Sequence, residues 1–570
     1  MNSLRTEVNN LITSVFRETF DIESSDSQTD YCDLKYGHFA SNIALVNSKK
    51  LGLPAVEIAD RLVSILEKED KFSRVELQNP GFINITLKDS VLLAALESYL
   101  GNIDKLIAIG DPHSTVVIDY SHPNIGKPMG VHHLLSTVIG DAIKLIYKDT
   151  GYRVIADNFI GDMGTQFGKL IYAIKNWGDM QAIDKDPVAE LLKLYVKYHV
   201  EAENNKQLDD FARQEYKKIE DKDPENRALL EMVQKLSMGE MQLIYKMLGV
   251  EFDHYNGESF YEDKLKDIVD LGIQKQIFTK SEGALICQLE NPEEPPALIQ
   301  KSDGTSLYLT RDLARVAYWE KQWHPEIMIN VVDLAQSLQM SQVYEVSSKL
   351  GLTDAKNIHV AFGRMDFKEK SMSTRKGNII LITDLIEETK NRVQSQLVSL
   401  SKSLEEDEKT VLRDVLAINS IKYNILKQNR LSNIVFDWDS ILNIEGNSAP
   451  YLAYSAVRMQ SIANKDKELG LGRNGISHLE SAKLETIEVS LLLEIDKLQD
   501  IYREAISKFQ PSDIANYCYD VCRIYNNFYN NYKIVDTTAA NSYRILLNDL
   551  AFEVIKQCFS SLGLKIPSKM

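Results

Sequence analysis

The segment that most constrains the fold is a short apolar strand, Val116-Val-Ile-Asp-Tyr120, followed by a Pro/Gly loop, a helical pattern over 131–149 and a second strand from Arg153 to Asn158. Strand, helix, strand is the grammar of a parallel sheet, because parallel neighbours need a long crossover and a helix supplies it. The expected fold class is therefore α/β. Strand signals return at Gly283-Ala-Leu-Ile-Cys287, Ile327-Met-Ile-Asn-Val-Val332 and Asn357-Ile-His-Val-Ala-Phe362, with Asp303-Gly304 read as a hairpin turn.

A chain of 570 residues exceeds one core, since domains run to about 150 residues. Residues 1–110 read as a small α+β module, with a helix near Leu4 to Phe20 and strands at Val75-Glu-Leu-Gln78 and Phe82-Ile-Asn-Ile-Thr-Leu87. Residues 111–384 carry the parallel sheet. Within them, about 180–250 read as a helical insertion, where Asp186-Pro187 and Asp223-Pro224 each pair an N-cap with proline at the first helical position. From 385 to 570 the pattern is all helical.

Composition narrows the function. Hydrophobic residues at 44% and charged residues at 26% are those of an ordinary globular chain. With 65 Lys+Arg against 82 Asp+Glu, the net charge of −17 argues against coating nucleic acid by bulk charge, so any polyanion needs a local basic surface. The five cysteines form no Cys-x-x-Cys pair, so neither a zinc site nor a disulfide framework is expected, and a reducing cytoplasm fits. No signal-like start and no run of eighteen apolar residues occurs, so no membrane association is expected.

Four polar segments lie at the carboxyl ends of the expected strands, where a parallel sheet binds ligands and where helix N-termini favour phosphate. The first runs from Asp119 to His133 (Asp-Tyr-Ser-His-Pro-Asn-Ile-Gly-Lys-Pro-Met-Gly-Val-His-His), and the second is Asn158-Phe-Ile-Gly-Asp-Met-Gly-Thr-Gln-Phe-Gly168. Neither has the spacing of a P-loop or a dinucleotide fingerprint. The third, Tyr308-Leu-Thr-Arg-Asp312, puts a phenol and a carboxylate at i and i+4, suited to a cationic ligand or, more plainly, to helix capping. The fourth, Ser371-Met-Ser-Thr-Arg-Lys-Gly-Asn378, is a doubly basic loop able to close over a triphosphate, or simply a solvated one.

Together, in this order, the four segments resemble the arginyl-tRNA synthetases, a class I aminoacyl-tRNA synthetase family, over essentially the whole chain. Asp119 to Asp141 is similar to that family's Ser-x-Pro-Asn-x-Ala-Lys-Pro segment and its version of the HIGH signature. Gly161-Asp-Met-Gly-Thr-Gln-Phe-Gly168 resembles its Gly-Asp-Trp-Gly-x-Gln-Phe-Gly, Tyr308 to Asp312 its Tyr-x-Thr-Arg-Asp, and Met372 to Asn378 its KMSKS loop. Gln428-Asn-Arg430, Phe436-Asp-Trp-Asp439 and Glu445 to Tyr454 resemble the opening of its helical anticodon-binding domain. Tyr36 to Asn42 and Pro80 to Asn84 resemble the N-terminal domain that reaches the tRNA elbow.

The resemblance implies a Rossmann-type catalytic domain and an arginine–tRNA ligase using ATP with Mg2+, tRNA(Arg) and L-arginine, working as a cytoplasmic monomer without zinc. It implies Asp119, Asn124, Tyr308, Asp312 and Gln336 around arginine. It gives catalytic roles to His133, Lys127, Arg375 and Lys376, and ATP contacts to Gly130, His132, His133, Gly161, Asp162, Gly164, Met372 and Ser373. Phe82, Asn84, Tyr451, Tyr454 and Arg458 would contact tRNA, the last three forming one helix stripe for stacking bases. An alternative is a relative that binds tRNA without activating arginine, suggested by one departure. Gly130-Val-His-His133 stands where the family reads His-x-Gly-His, with Leu135, Met163 and Ser371 also substituted. Neighbours in a helix sit about 100° apart, so the catalytic role goes to His133 rather than His132.

Overall fold

The chain folds as two separately packed units. One combines Met1–Ile109 with Leu442–Met570; the other is Gly110–Ile441. The structure is a computed structural model that describes all residues except 25–27, 303, 305–306, 369–379, 401–403, 470–481 and 536–542, and all their side chains except those of 188, 220, 398–400 and 466–469.

In the first unit, β1 (Thr29–Tyr31), β2 (Phe39–Ser41), β3 (Phe72–Gln78) and β4 (Phe82–Leu87) form an antiparallel sheet in the order β1-β2-β4-β3. Ile83, Ile85 and Leu87 alternate into its core. The helix Ala55–Leu66 covers that face because Ile58, Ala59, Leu62 and Leu66 fall on one stripe. Helices Ala449–Leu469, Thr486–Asp496, Leu498–Lys508, Pro511–Asn531 and Tyr543–Ser561 make the all-helical part. The two parts share an anchor. The buried Asp496 carboxylate accepts from the backbone nitrogens of Leu4 (2.7 Å) and Arg5 (3.1 Å) and from the hydroxyls of Tyr31 (2.7 Å) and Tyr99 (2.5 Å).

In the second unit, β5 (Thr115–Asp119) and β6 (Arg153–Asp157) flank the crossover helix Val131–Asp149. All five β5 residues are buried, as expected of a central parallel strand covered on both faces. β7 (Phe278–Ser281), β8 (Ala284–Cys287) and β9 (Ala297–Gln300) form a small antiparallel sheet, and β10 (Ile327–Asn330) and β11 (Lys356–His359) complete the parallel one, in the order β11-β10-β5-β6. The chain leaves β5 for β6 on one side and later returns to β10 on the other, so the order reverses between β5 and β10. In register at that end stand Asp157, Asp119, Asn330 and His359, one from each strand.

The insertion consists of helices Met180–Lys185, Pro187–Asn204, Gln207–Glu220 and Pro224–Leu248. Asp186 and Asp223 cap the second and fourth, accepting from Ala189 and Asn226 N–H groups, with proline next in each. A tight turn lies at Glu282-Gly283, between β7 and β8, where φ is 49° and 82°; two successive left-handed positions make the turn that matches strand twist. Asp303 of the expected turn lies outside the described residues. Gly140 is needed where the crossover helix meets β5, because a Cβ there would collide with the Tyr120 ring. Its neighbour Asp141 holds Lys144 at 2.7 Å and the fully buried Lys422 at 3.5 Å.

Candidate active site

Beyond the carboxyl end of β5 the backbone turns sharply: Ser121 and His122 both take positive φ (83° and 49°). Buried hydrogen bonds hold this turn. Ser121 N–H donates to Ser136 Oγ at 2.8 Å, and Ser121 Oγ lies 2.8 Å from both Thr137 Oγ1 and Tyr245 Oη. The next residues bridge to the loop after β6, with Ile125 N–H donating to Gly161 O and Gly161 N–H to Pro123 O, each at 3.0 Å. A side chain at Gly161 would strike the Asn124 carboxamide, so glycine lets the two loops close on each other.

These loops wall a cavity of about 490 Å3 at the point where strand order reverses. Asn124, His132, His133, Gly161, Tyr308, Asp312 and Gln336 all line it. Its floor is ionic. Asp312, 4% exposed, lies on the helix Tyr308–Trp323 and faces Arg315 one turn later, which is 3% exposed. Arg315 Nη2 donates to Asp312 Oδ1 and Asn330 Oδ1, both at 3.0 Å, and Nη1 pairs with Asp119 Oδ2. The guanidinium also lies 4.7 Å from the Phe159 ring centre and 4.9 Å from that of Trp319. Gln339 Nε2 donates to the other Asp312 oxygen at 2.8 Å.

Burial pushes the Asp312 carboxyl up, while Gln339 and Arg311 pull it down. Burial also lowers Arg315 to about 10, which still leaves it charged at neutral pH. Asp119 itself is fully buried; its other oxygen accepts from Phe159 N–H at 3.2 Å, and His122 Nε2 stands 3.7 Å away. Asp119 therefore meets the cavity through Arg315 rather than lining it.

The second chemical feature is His133, in the first turn of the crossover helix. Gly130 N–H donates to its Nδ1 at 3.2 Å, so the ring proton is on Nε2. Burial first, then the nearby His132, His122 and Lys127, lower His133 to about 3. It is a neutral donor at the positive end of a helix, suited to an anion. His132 is exposed, its ring 3.9 Å from that of His133, and both line the cavity. Adjacent helical positions thus reach one space because the rings turn toward each other.

The other residues singled out in the sequence lie elsewhere or are not described. Lys127 does not line this cavity; its ammonium sits 5.4 Å over the Tyr195 ring of the helical insertion. Asp162 accepts from Ser259 N–H (2.8 Å) and its hydroxyl (2.5 Å), and Gly164 caps the helix Thr165–Trp177 with φ 118°. Gly130 caps the crossover helix and bridges to Leu381. Met372, Ser373, Arg375 and Lys376 lie outside the described residues. In the other unit, Phe82 is exposed and Asn84 buried on β4. Tyr451, Tyr454 and Arg458 lie on the helix Ala449–Leu469, where the Arg458 guanidinium sits between the rings of Tyr454 (4.8 Å) and Tyr529 (4.3 Å) and donates to Asn526 Oδ1 at 2.7 Å.

Sequence reasoning missed Arg315, Gln339 and Glu258. Arg315 had a signal: a cation three residues after Asp312, on the helix face that Tyr308 and Asp312 share. Glu258 had none, because it reaches the cavity from a segment about a hundred residues past Gly161 in the chain; it is 8% exposed, and burial raises it to about 7.

Comparison with known proteins fits this geometry. The family described as tRNA synthetases class I (R), catalytic domain, matches residues 96–438; the arginyl tRNA synthetase N terminal domain matches 2–87 and the DALR anticodon binding domain 452–570. The chain belongs to the arginyl-tRNA synthetases. This synthetase is 36% identical over 537 residues to the arginine–tRNA ligase of Fusobacterium nucleatum, covering 94% of both chains, and 36% identical over 540 residues to that of Clostridium perfringens, covering 93% and 92%. Among solved structures it superposes on the arginyl-tRNA synthetase of Plasmodium falciparum with a TM-score of 0.82 at 26% identity, over all of both chains. The synthetase of Thermus thermophilus shares the fold, with a TM-score of 0.77 at 19% identity over all of both chains.

Proposed function

We infer that this chain joins arginine to tRNA(Arg): it is an arginine–tRNA ligase, which activates L-arginine with ATP and transfers it to the tRNA for protein synthesis. The observation that carries the reading is the ionic floor of the cavity, which Asp312 lines together with Tyr308 and the neutral donor His133. A carboxylate can grip a guanidinium in bidentate fashion and a lysine ammonium only as a point charge. Arginine is therefore held by Asp312 and Tyr308, with Asn124 and Gln336 around its backbone end and Asp119 acting from beneath.

ATP enters as its Mg2+ complex. The arginine carboxylate attacks the α-phosphate, pyrophosphate leaves, and the terminal ribose hydroxyl of the tRNA then takes the arginyl group from the adenylate. No covalent bond to the protein is needed. His133 Nε2–H donates to phosphate oxygen as charge builds, with Arg375 and Lys376 neutralising the leaving pyrophosphate. Gly130, His132, Gly161, Asp162, Gly164, Met372 and Ser373 serve the nucleotide. The work is divided among 1–110 at the tRNA elbow through Phe82 and Asn84, 111–384 for catalysis, and 385–570 at the anticodon through Tyr451, Tyr454 and Arg458. The enzyme acts as a cytoplasmic monomer and uses no zinc.

The test is ATP–pyrophosphate exchange with arginine, with and without tRNA(Arg), followed by charging. Exchange and charging with arginine, and not with lysine, support the reading; tRNA binding without either reaction overturns it.

A further inference from the structure

The deep end of the cavity is already filled by a guanidinium, and it belongs to the protein. Arg315 binds two carboxylates, Asp119 and Asp312, and the Asn330 carboxamide, and its flat face lies on Phe159. That set of partners would suit a substrate arginine equally well. We propose that Arg315 is a positioning residue for arginine recognition: it closes the deep end of the pocket and fixes the Asp312 carboxylate, so that the substrate guanidinium is taken on the outer side of Asp312, toward Tyr308. This rests on the reading that Asp312 grips the substrate side chain.

Three observations carry it. First, Asp312 is held at both oxygens, by Arg315 Nη2 at 3.0 Å and by Gln339 Nε2 at 2.8 Å, so its plane is set before substrate arrives and only its remaining lone pairs are free to accept. Second, Tyr308 lies one turn nearer the helix N-terminus and is 63% exposed at the cavity mouth, the side left open once Arg315 occupies the other. Third, Arg315 spans Asp119, Asn330 and Asp312 together, so the inner partners are already taken and a substrate cation meets Asp312 from its outer side. Only a planar fork of donors reaches acceptors on three separate elements at once, β5, β10 and the helix Tyr308–Trp323.

The experiment measures tRNA charging by the full chain with Arg315→Ala and Arg315→Lys, separating the KM for arginine from that for ATP, with and without low millimolar guanidinium. Loss of one charge-assisted hydrogen bond should raise the arginine KM by about tenfold or more, with the ATP KM changing by less than about twofold. In R315A, guanidinium enters the space left among Asp119, Asp312 and Asn330 and lowers the arginine KM again. R315K keeps charge and bulk but not the fork, so it shows the raised arginine KM even if R315A does not fold. An unchanged arginine KM, a parallel rise in both KM values, or no recovery of folded R315A with guanidinium overturns the proposal. Asp312→Asn separates the two readings. If it raises the arginine KM while the Arg315 variants do not, only the positioning role fails; if it leaves that KM unchanged, the reading of Asp312 itself fails.

Discussion

Gly130 N–H donates to His133 Nδ1 across 3.2 Å, which commits the imidazole to being a donor through Nε2. With its folded value lowered to about 3 from 6.5, the ring stays neutral throughout the working range. Replacing His133 by Ala should lower kcat by about 10²–10³ with little change in the arginine KM. The wild-type rate should show no step from this ring between pH 5 and 8, and a pH–rate profile compared with the variant checks it.

Stability carries the same signature. A histidine whose folded value is depressed binds its proton more weakly when folded, so its contribution is complete above pH 6.5 and is lost as pH falls toward 3. Urea midpoints measured from pH 7 to pH 4 should fall less steeply for His133→Asn than for wild type. Equal slopes would place the ring in a solvated site.

Asp312→Asn removes the charge but keeps the shape. The arginine KM should rise by about ten- to a hundredfold, the loss expected for a hydrogen bond to a charged partner, and the ATP KM should hold. Steady-state charging kinetics distinguish this from a general collapse of the site.

Glu258 titrates where the enzyme works. Burial raises it to about 7, opposed by Arg311 and reinforced by Asp162, Asp312 and Glu262. As pH rises through 7 the cavity gains negative charge from Glu258 and from Asp312, whose carboxyl burial also raises to about 7, so the affinity for arginine should increase between pH 6 and pH 8 in wild type and increase less steeply in Glu258→Gln. The stability sign is opposite: a carboxyl raised on folding favours its protonated form, so stability declines between pH 4.5 and about 7 and the glutamine variant removes that decline. Arginine KM and urea midpoints across this range report the two effects separately.

Asp496 is the fourth target. Four donors converge on it inside the first unit, so Asp496→Ala should cost about 3 kcal/mol or more, because it leaves buried donors unpaired. Tyr31→Phe and Tyr99→Phe should each cost less. Denaturant titrations of the full chain rank the three.

What the sequence made legible was periodic or punctuated. β5 and β6 stood out because a buried parallel strand is an unbroken apolar run, and the insertion helices because Asp-Pro marks a helix start twice. The hairpin at Glu282-Gly283 was not legible because a glycine suited to a left-handed position recurs at Gly304, and only strand pairing marks the first as the turn between β7 and β8. The floor of the cavity was hidden for another reason. Asp119, Asn330 and Arg315 converge through sheet register across more than two hundred residues, and no local pattern encodes that meeting. Glu258 and Gln339 reach the cavity in the same way, from helical segments distant in the chain rather than by spacing.

The anchor at Asp496 has a bearing on biosynthesis. The residues that bind it, Leu4, Arg5, Tyr31 and Tyr99, leave the ribosome before their acceptor, which follows only after all of Gly110–Ile441 has been made. Until then the Arg5 N–H and the Tyr31 and Tyr99 hydroxyls lack this acceptor, while the Leu4 N–H keeps the Tyr99 oxygen at 3.0 Å. The final burial of the amino-terminal module thus waits for the synthesis of Asp496.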